Sequence, residues 1–327
     1  MKNRRLGGSG LHVSALGLGT NSFGKRADDA ESARILDTAI DSGIHFIDTA
    51  NIYAGTNSER IIGQALAGSG KRQRIVLATK AGLPTGKGAN ERGSSRYHIQ
   101  MELEASLKRL QTDYVDLYQI HTFDPSTPLE ETLRALEDMV RSGKVRYIGA
   151  SNYYAWELMK AVGISDKLGL GRYVSTQISY SLADRTPERE LVPMCLDQGI
   201  GIIPYFPLAG GILTGKYSER GEKPPQGSRA QTDPSFGRFL DERTIALGEQ
   251  VGAMASELGC SASALSLAWL MHQPAVSTVI VGATSAGQLE QNLRSVELEL
   301  TADHLKKLDE ASLSFRQGEP FAIYRLG

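Results

Sequence analysis

The chain has 327 residues, 22% of them charged, with 36 basic side chains against 37 acidic ones and a formal net charge of −1. That balance removes the electrostatic case for nucleic acid or an anionic membrane surface as a partner, and the apolar stretches are strand-length, far short of a membrane span. The start, MKNRRLGGSG, lacks the apolar stretch of a secretory signal, and two isolated thiols, Cys195 and Cys260, fit a reducing compartment better than a disulfide framework, so a soluble cytoplasmic protein is expected.

In chain order, MKNRRL, GGSG and LHVS read as a small hairpin. Eight apolar runs then follow as strands: ALGLGT (15–20), IHFIDTA (44–50), RIVLATK (74–80), YVDLYQIH (114–121), VRYIGAS (145–151), YVSTQIS (173–179), IGIIPYF (200–206) and STVIVGA (277–283). Helical patterns lie between them. In one, Leu129, Leu133, Leu136 and Val140 form an apolar stripe with Arg134, Glu137 and Arg141 on other faces, and Gly143 stops it. Two further helices are expected at about 239–258 and about 261–273. Strands apolar on both faces, alternating with helices, imply a parallel sheet covered by helices. Eight such units close into a (β/α)8 TIM barrel, here with an N-terminal β-hairpin cap, long loops on the C-terminal face, and residues 1–327 as one domain.

One segment breaks the rhythm: GKYSERGEKPPQGSRAQTD (215–233) has Pro, Gly and charge without apolar period. A loop of that length in a compact domain is more often functional than incidental. The tail EPFAIYRLG (319–327) carries Phe321, Ile323 and Tyr324, unusual for a free end, and is expected to fold over the barrel mouth.

The strand ends carry the chemistry. Asp48 closes the second strand, Lys80 the third and His121 the fourth, and Tyr53 lies five residues past Asp48. In a barrel these ends converge on one face, and neighbouring strands are about 4.8 Å apart, so the four side chains can meet. Each has an ordinary structural use taken singly: a helix cap, a surface charge, a buried imidazole bonded to a carbonyl. Together they make a proton-transfer site. A free tyrosine is a poor acid at pH 7; a buried ammonium would favour the phenolate and lower the phenol's pKa. Asp48 would keep Lys80 charged, and His121 could orient a carbonyl or relay a proton.

None of the four is a hydride source, so reduction needs a bound cofactor. Ser151, Asn152 and Gln177 could bond a carboxamide, and Tyr205 or Phe206 could stack on a ring. In VGATSAGQLEQN (281–292), Gly282 permits close backbone approach before a helix N-terminus that favours phosphate. Gln288, Gln291 and Asn292 share one face, although Ser285 and Gln288 also fit a capping box. Gly17 and Gly19 invite a dinucleotide fingerprint, but Ser22 stands in its third position and no acidic residue follows at the usual distance. No metal-ligand spacing stands out.

With FIDTANIYAGTNSERIIGQAL (46–66), LATK (77–80), DLYQIH (116–121), GKVRYIGASN (143–152), YFPLAGGILTGKY (205–217) and GATSAGQLEQN (282–292), the chain resembles the aldo-keto reductase superfamily over almost its whole length, in the branch that includes potassium-channel β-subunits. The resemblance implies a TIM barrel, a nicotinamide cofactor, usually NADPH, and a catalytic tetrad at Asp48, Tyr53, Lys80 and His121. It places the cofactor against Thr20, Asn21, Ser151, Asn152, Gln177, Tyr205, Phe206, Pro207, Leu208, Gly210, Gly282, Thr284 and Gln291. It assigns phosphate and adenosine contacts to Lys216, Arg229, Gln288 and Asn292. Two departures stand out: segment 282–288 has no basic residue, and Asn21 and Ser22 follow Thr20 where an aromatic is common.

The expected function is NADPH-dependent reduction of an aldehyde or ketone, a small-molecule carbonyl, with NADH possible and Tyr53 giving the proton. The alternatives are a Schiff-base aldolase using Lys80 and a cofactor-sensing protein of the channel β-subunit type. Channel β-subunits carry Asn where His121 stands, which favours the enzyme.

Overall fold

The computed structural model describes residues 1–217, 236 and 239–326. Strands β1 (Asn3–Arg5) and β2 (His12–Ser14) pair antiparallel as the expected hairpin. Eight strands follow: β3 (Leu16–Gly19), β4 (Phe46–Asp48), β5 (Val76–Ala81), β6 (Val115–Ile120), β7 (Val145–Ser151), β8 (Ser175–Ser179), β9 (Gly201–Tyr205) and β10 (Val279–Gly282). All neighbours are parallel, in the order β10-β3-β4-β5-β6-β7-β8-β9. The ring closes through a single bridge, with Ile202 N–H donating to Ala275 O at 2.8 Å and Ser277 N–H to Ile202 O at 2.9 Å. This is the (β/α)8 TIM barrel with its hairpin. Most strands are shorter than the apolar runs that announced them.

The apolar stripe from Leu129 folds as the helix Leu129–Arg141, buried along Leu133, Leu136 and Met139. The helices expected near 239–258 and 261–273 are Glu242–Glu257 and Ala262–Met271. No helix among the described residues is long and apolar enough to cross a membrane.

Two apolar cores result. The larger lies between strands and helices. The smaller fills the barrel itself, with Phe46, Ala78, Leu117, Ile203 and Ile280, and the hairpin pushes Leu6 and Val13 into it from below. The hairpin turn sits close to the strands: a Cβ on Gly7 would fall 2.5 Å from Gly199 O. It also touches both sides of the closing bridge. Gly8 N–H donates to Gly199 O, while Gly7 N–H reaches Ser277 Oγ and Arg4 Nη1 reaches Val276 O.

Side chains alternate along a strand, so the residue two places beyond an inward one also faces the barrel interior. From the apolar floor, Phe46 leads to Asp48, Ala78 to Lys80, Leu117 to Gln119, and Ile203 to Tyr205. One register step therefore changes the lumen from apolar to polar, and this is where the site begins.

Candidate active site

Asp48 and Lys80 end β4 and β5 side by side, in a salt bridge of 2.6 Å between Lys80 Nζ and Asp48 Oδ2, with side chains 0% and 4% exposed. The ammonium also donates to Thr49 O at 2.9 Å and to Tyr53 Oη at 3.3 Å. All three of its protons thus have an acceptor. The other carboxylate oxygen, Asp48 Oδ1, accepts from Gln177 Nε2 at 2.9 Å and Gln119 Nε2 at 3.2 Å. Burial pushes the Lys80 pKa down, but Asp48 and Tyr53 outweigh it and the net direction is upward, so the amine stays charged.

The Tyr53 phenol differs from its expectation. Burial raises its pKa more than Lys80 lowers it, so it stands above the ordinary phenol value. Desolvating a phenolate costs more here than one ammonium, already neutralised by Asp48, returns. His121 moves the other way. Burial and the Lys80 charge hold its pKa well below the usual imidazole value, and it is neutral at pH 7. Its ring lies 6.0 Å from that of Tyr53, edge to face, and its buried Nδ1 has no hydrogen-bond partner among the described residues.

The tetrad opens into a cleft of about 450 Å³. Asp48, Tyr53 and His121 line it, while Lys80 lies buried behind Tyr53. Thr20, Asn21, Ser151, Asn152, Gln177, Tyr205, Phe206, Pro207, Leu208, Gly210, Lys216, Gly282, Thr284 and Gln288 line it too. Asn152 and Phe206 adopt left-handed backbone, φ 56° and 51°. Asn tolerates that region, whereas an aromatic there is strained. The Asn152 amide joins the strand ends: Nδ2 donates to His121 O and Ser151 Oγ, and Oδ1 accepts from Tyr205 Oη and Tyr324 N.

The tail crosses the mouth. Thr122 Oγ1 donates to Tyr324 O, Phe321 N donates to Asp184 Oδ2, and Arg325 pairs with Glu157 and with Asn152 O. Tyr324 is pinned between these anchors and lines the cleft, its ring 6.4 Å from His121.

A model of the aldo/keto reductase family matches residues 15–313, the barrel and nearly all its helices. The chain belongs to the aldo/keto reductase family. Among its relatives, the uncharacterized oxidoreductase YrpG of Bacillus subtilis is 40% identical over 319 residues, 95% of each chain. The versiconal hemiacetal acetate reductase of Aspergillus parasiticus is 34% identical over 338 residues, 95% of this chain and 96% of its own. An Arabidopsis thaliana protein named "Probable voltage-gated potassium channel subunit beta" is 37% identical over 303 residues, 91% of this chain and 92% of its own. As an aldo/keto reductase, the chain is an oxidoreductase acting on carbonyl groups.

Two residues assigned from the sequence lie away from the cleft in this aldo/keto reductase. Gln291 is exposed and Asn292 buried, and neither lines the cleft. Arg229 lies outside the described residues. The helix Ala286–Leu293 presents fewer free donors to a phosphate than its sequence suggests. Ala286 N donates to Glu31 Oε1, Gln288 N to Ser285 Oγ, and Thr284 N to Gln288 Oε1. Ser285 therefore acts as the N-cap, while the Gln288 side chain binds Thr284 N rather than closing a reciprocal box. Gly17 and Gly19 are packing positions: a Cβ on either would fall 2.9 Å from Phe46 or Ile280. Sequence reasoning missed Arg26 and Gln119. Arg26 lines the cleft with no periodic pattern to mark it. Gln119 had a signal, since it stands two residues before His121 and pairs in register with Lys80.

Proposed function

We propose that this aldo/keto reductase reduces an aldehyde or ketone with NADPH, and that Tyr53 gives the proton. The observation that carries this reading is one hydroxyl at the base of the cleft, backed by a buried ammonium that is itself paired and hydrogen-bonded. The residues present suit a dinucleotide. The cleft is lined by the amides of Asn152 and Gln177 and the hydroxyl of Ser151, and also by Lys216, Arg26 and Gln288. A Cβ on Gly282, which also lines the cleft, would meet nothing closer than Asn21 Oδ1 at 3.5 Å, so the backbone is open to a ligand. A reduced nicotinamide bound there supplies the hydride.

The protein's part is to orient and to move a proton. Tyr53 keeps its proton at neutral pH, loaded for donation, and Lys80 stabilises the oxygen left behind. Neutral His121 has one N–H to hold the substrate oxygen beside Tyr53. Asp48 keeps Lys80 charged, which opposes the aldolase alternative, because a protonated and fully bonded amine is no nucleophile. The channel-subunit alternative lacks comparable support, since four groups suited to proton transfer converge on this cleft. Preference for NADPH over NADH rests on the cations Lys216 and Arg26, because Glu31 already occupies the helix N-terminus at Ala286. One domain and a cytoplasmic setting, with no nucleic-acid or membrane partner, complete the reading. Both cysteines are free thiols.

The direct test follows NADPH and NADH oxidation at 340 nm across small aldehydes, aromatic aldehydes, ketones and keto-sugars. Turnover of at least one carbonyl, faster with NADPH, is expected; none with either dinucleotide would refute the reading. Tyr324 sets a second expectation. Its ring forms an aromatic wall beside His121, so Tyr324→Ala removes apolar contact from large substrates. KM for an aromatic aldehyde should rise about tenfold, some 1.4 kcal/mol and short of the full burial of such a side chain, while KM for a two-carbon aldehyde barely moves. Equal changes for both would remove Tyr324 from the substrate wall.

A further inference from the structure

Gln119 has no part in the proton transfer just described, yet it is fully buried against Asp48 and Gln177, which line the cleft. Its surroundings decide which way its amide points. Asp48, paired with Lys80, is a carboxylate and can only accept, so the amide atom facing Asp48 Oδ1 is nitrogen. The same holds for Gln177, whose Nε2 lies 2.9 Å from that oxygen. With its nitrogen on Asp48, Gln119 turns its oxygen to Gln177, and Gln177 Nε2 donates to Gln119 Oε1 at 3.4 Å.

Both N–H bonds of Gln177 are therefore engaged inside the protein, one by Asp48 and one by Gln119. Its Oε1 remains. Gln177 lines the cleft, and no hydrogen bond to this oxygen is seen among the described residues. Without Gln119, one N–H of Gln177 would lose its partner and the amide would be held through Asp48 Oδ1 alone, a single point about which it could swing away from the cleft.

We propose that Gln119 is a positioning residue that locks Gln177 with its acceptor toward the cleft, so that the site selects a nicotinamide ring bearing an amide N–H. The inference rests on the nicotinamide reading above. Its recognition element is a single acceptor, complementary to a carboxamide and unsatisfied by a ketone in the same place.

The test compares dissociation constants of NADP+ and its 3-acetylpyridine analogue, in which methyl replaces the amide nitrogen, by quenching of protein fluorescence. Wild type should bind NADP+ about three- to tenfold tighter, the range set by one neutral hydrogen bond. Gln119→Met, similar in size and unbranched, should move that ratio toward one. On a Gln177→Met background the same change should leave the ratio where Gln177→Met alone puts it. A wild-type ratio of one would overturn the orientation of Gln177, whether or not Gln119→Met folds. A wild-type preference that persists in folded Gln119→Met would overturn the role of Gln119. Failure of wild type to bind either dinucleotide would instead strike the nicotinamide reading, and this inference with it.

Discussion

Tyr53→Phe is expected to lower the rate of carbonyl reduction by about 10²–10⁴, the usual worth of a positioned proton donor, and to leave dinucleotide affinity nearly unchanged. One atom is removed. The ring stays, and with it the edge contact to His121 at 6.0 Å. Lys80 keeps Asp48 and Thr49 O as acceptors, so its charge and place persist. Steady-state kinetics with fluorescence titration separates the two effects. A variant retaining most of its kcat would mean that another group delivers the proton, and neutral His121 would be the next candidate.

Lys80→Met acts on stability as well as rate. The ammonium is fully buried and is the sole cation paired with Asp48 among the described residues. Removing one partner of a buried pair leaves the other uncompensated and costs about 3–5 kcal/mol. Two amide donors remain on Oδ1, which places the cost toward the lower end. Urea denaturation of wild type and variant at neutral pH measures this. Asp48→Asn combined with Lys80→Met should regain stability at neutral pH but not activity. Borohydride added with a carbonyl substrate should trap no adduct on wild type; a substrate-sized mass addition at Lys80 would restore the aldolase alternative.

The ends of the strands were more legible in the sequence than their interiors. Asp48, Lys80 and His121 each close an apolar run, and a polar residue in that place is visible without knowing how strands pair. Gln119 sits inside such a run, and only its parity with His121 and register with Lys80 show that it faces the same lumen. The glutamine face on the helix Ala286–Leu293 is a related case. Helical spacing groups Gln288, Gln291 and Asn292, but Gln288 lines the cleft, Gln291 is exposed away from it and Asn292 is buried. The direction of the Tyr53 shift was out of reach because it depends on two opposed quantities, burial and a screened charge, and neither is written in residue order. Arg26 lies in a loop with no period at all.

The barrel seam has a consequence for how the chain is made. β3 pairs with β10 across some 260 positions, and the hairpin's grip on Val276 and Ser277 spans 272 and 270 residues. Contacts of such sequence separation form late, and the N-terminal residues leave the ribosome long before their partners exist. Until β10 emerges, the outer edge of β3 has no neighbour, and Leu6 and Val13 have no finished lumen to plug. An unpaired strand edge is a template for pairing with another chain. The hairpin lies outside the span matched by the family model, yet it is the clasp that holds both sides of the join once the last strand arrives. A chain begun at residue 15 would keep every residue of the catalytic face and lose the fastening at the opposite pole.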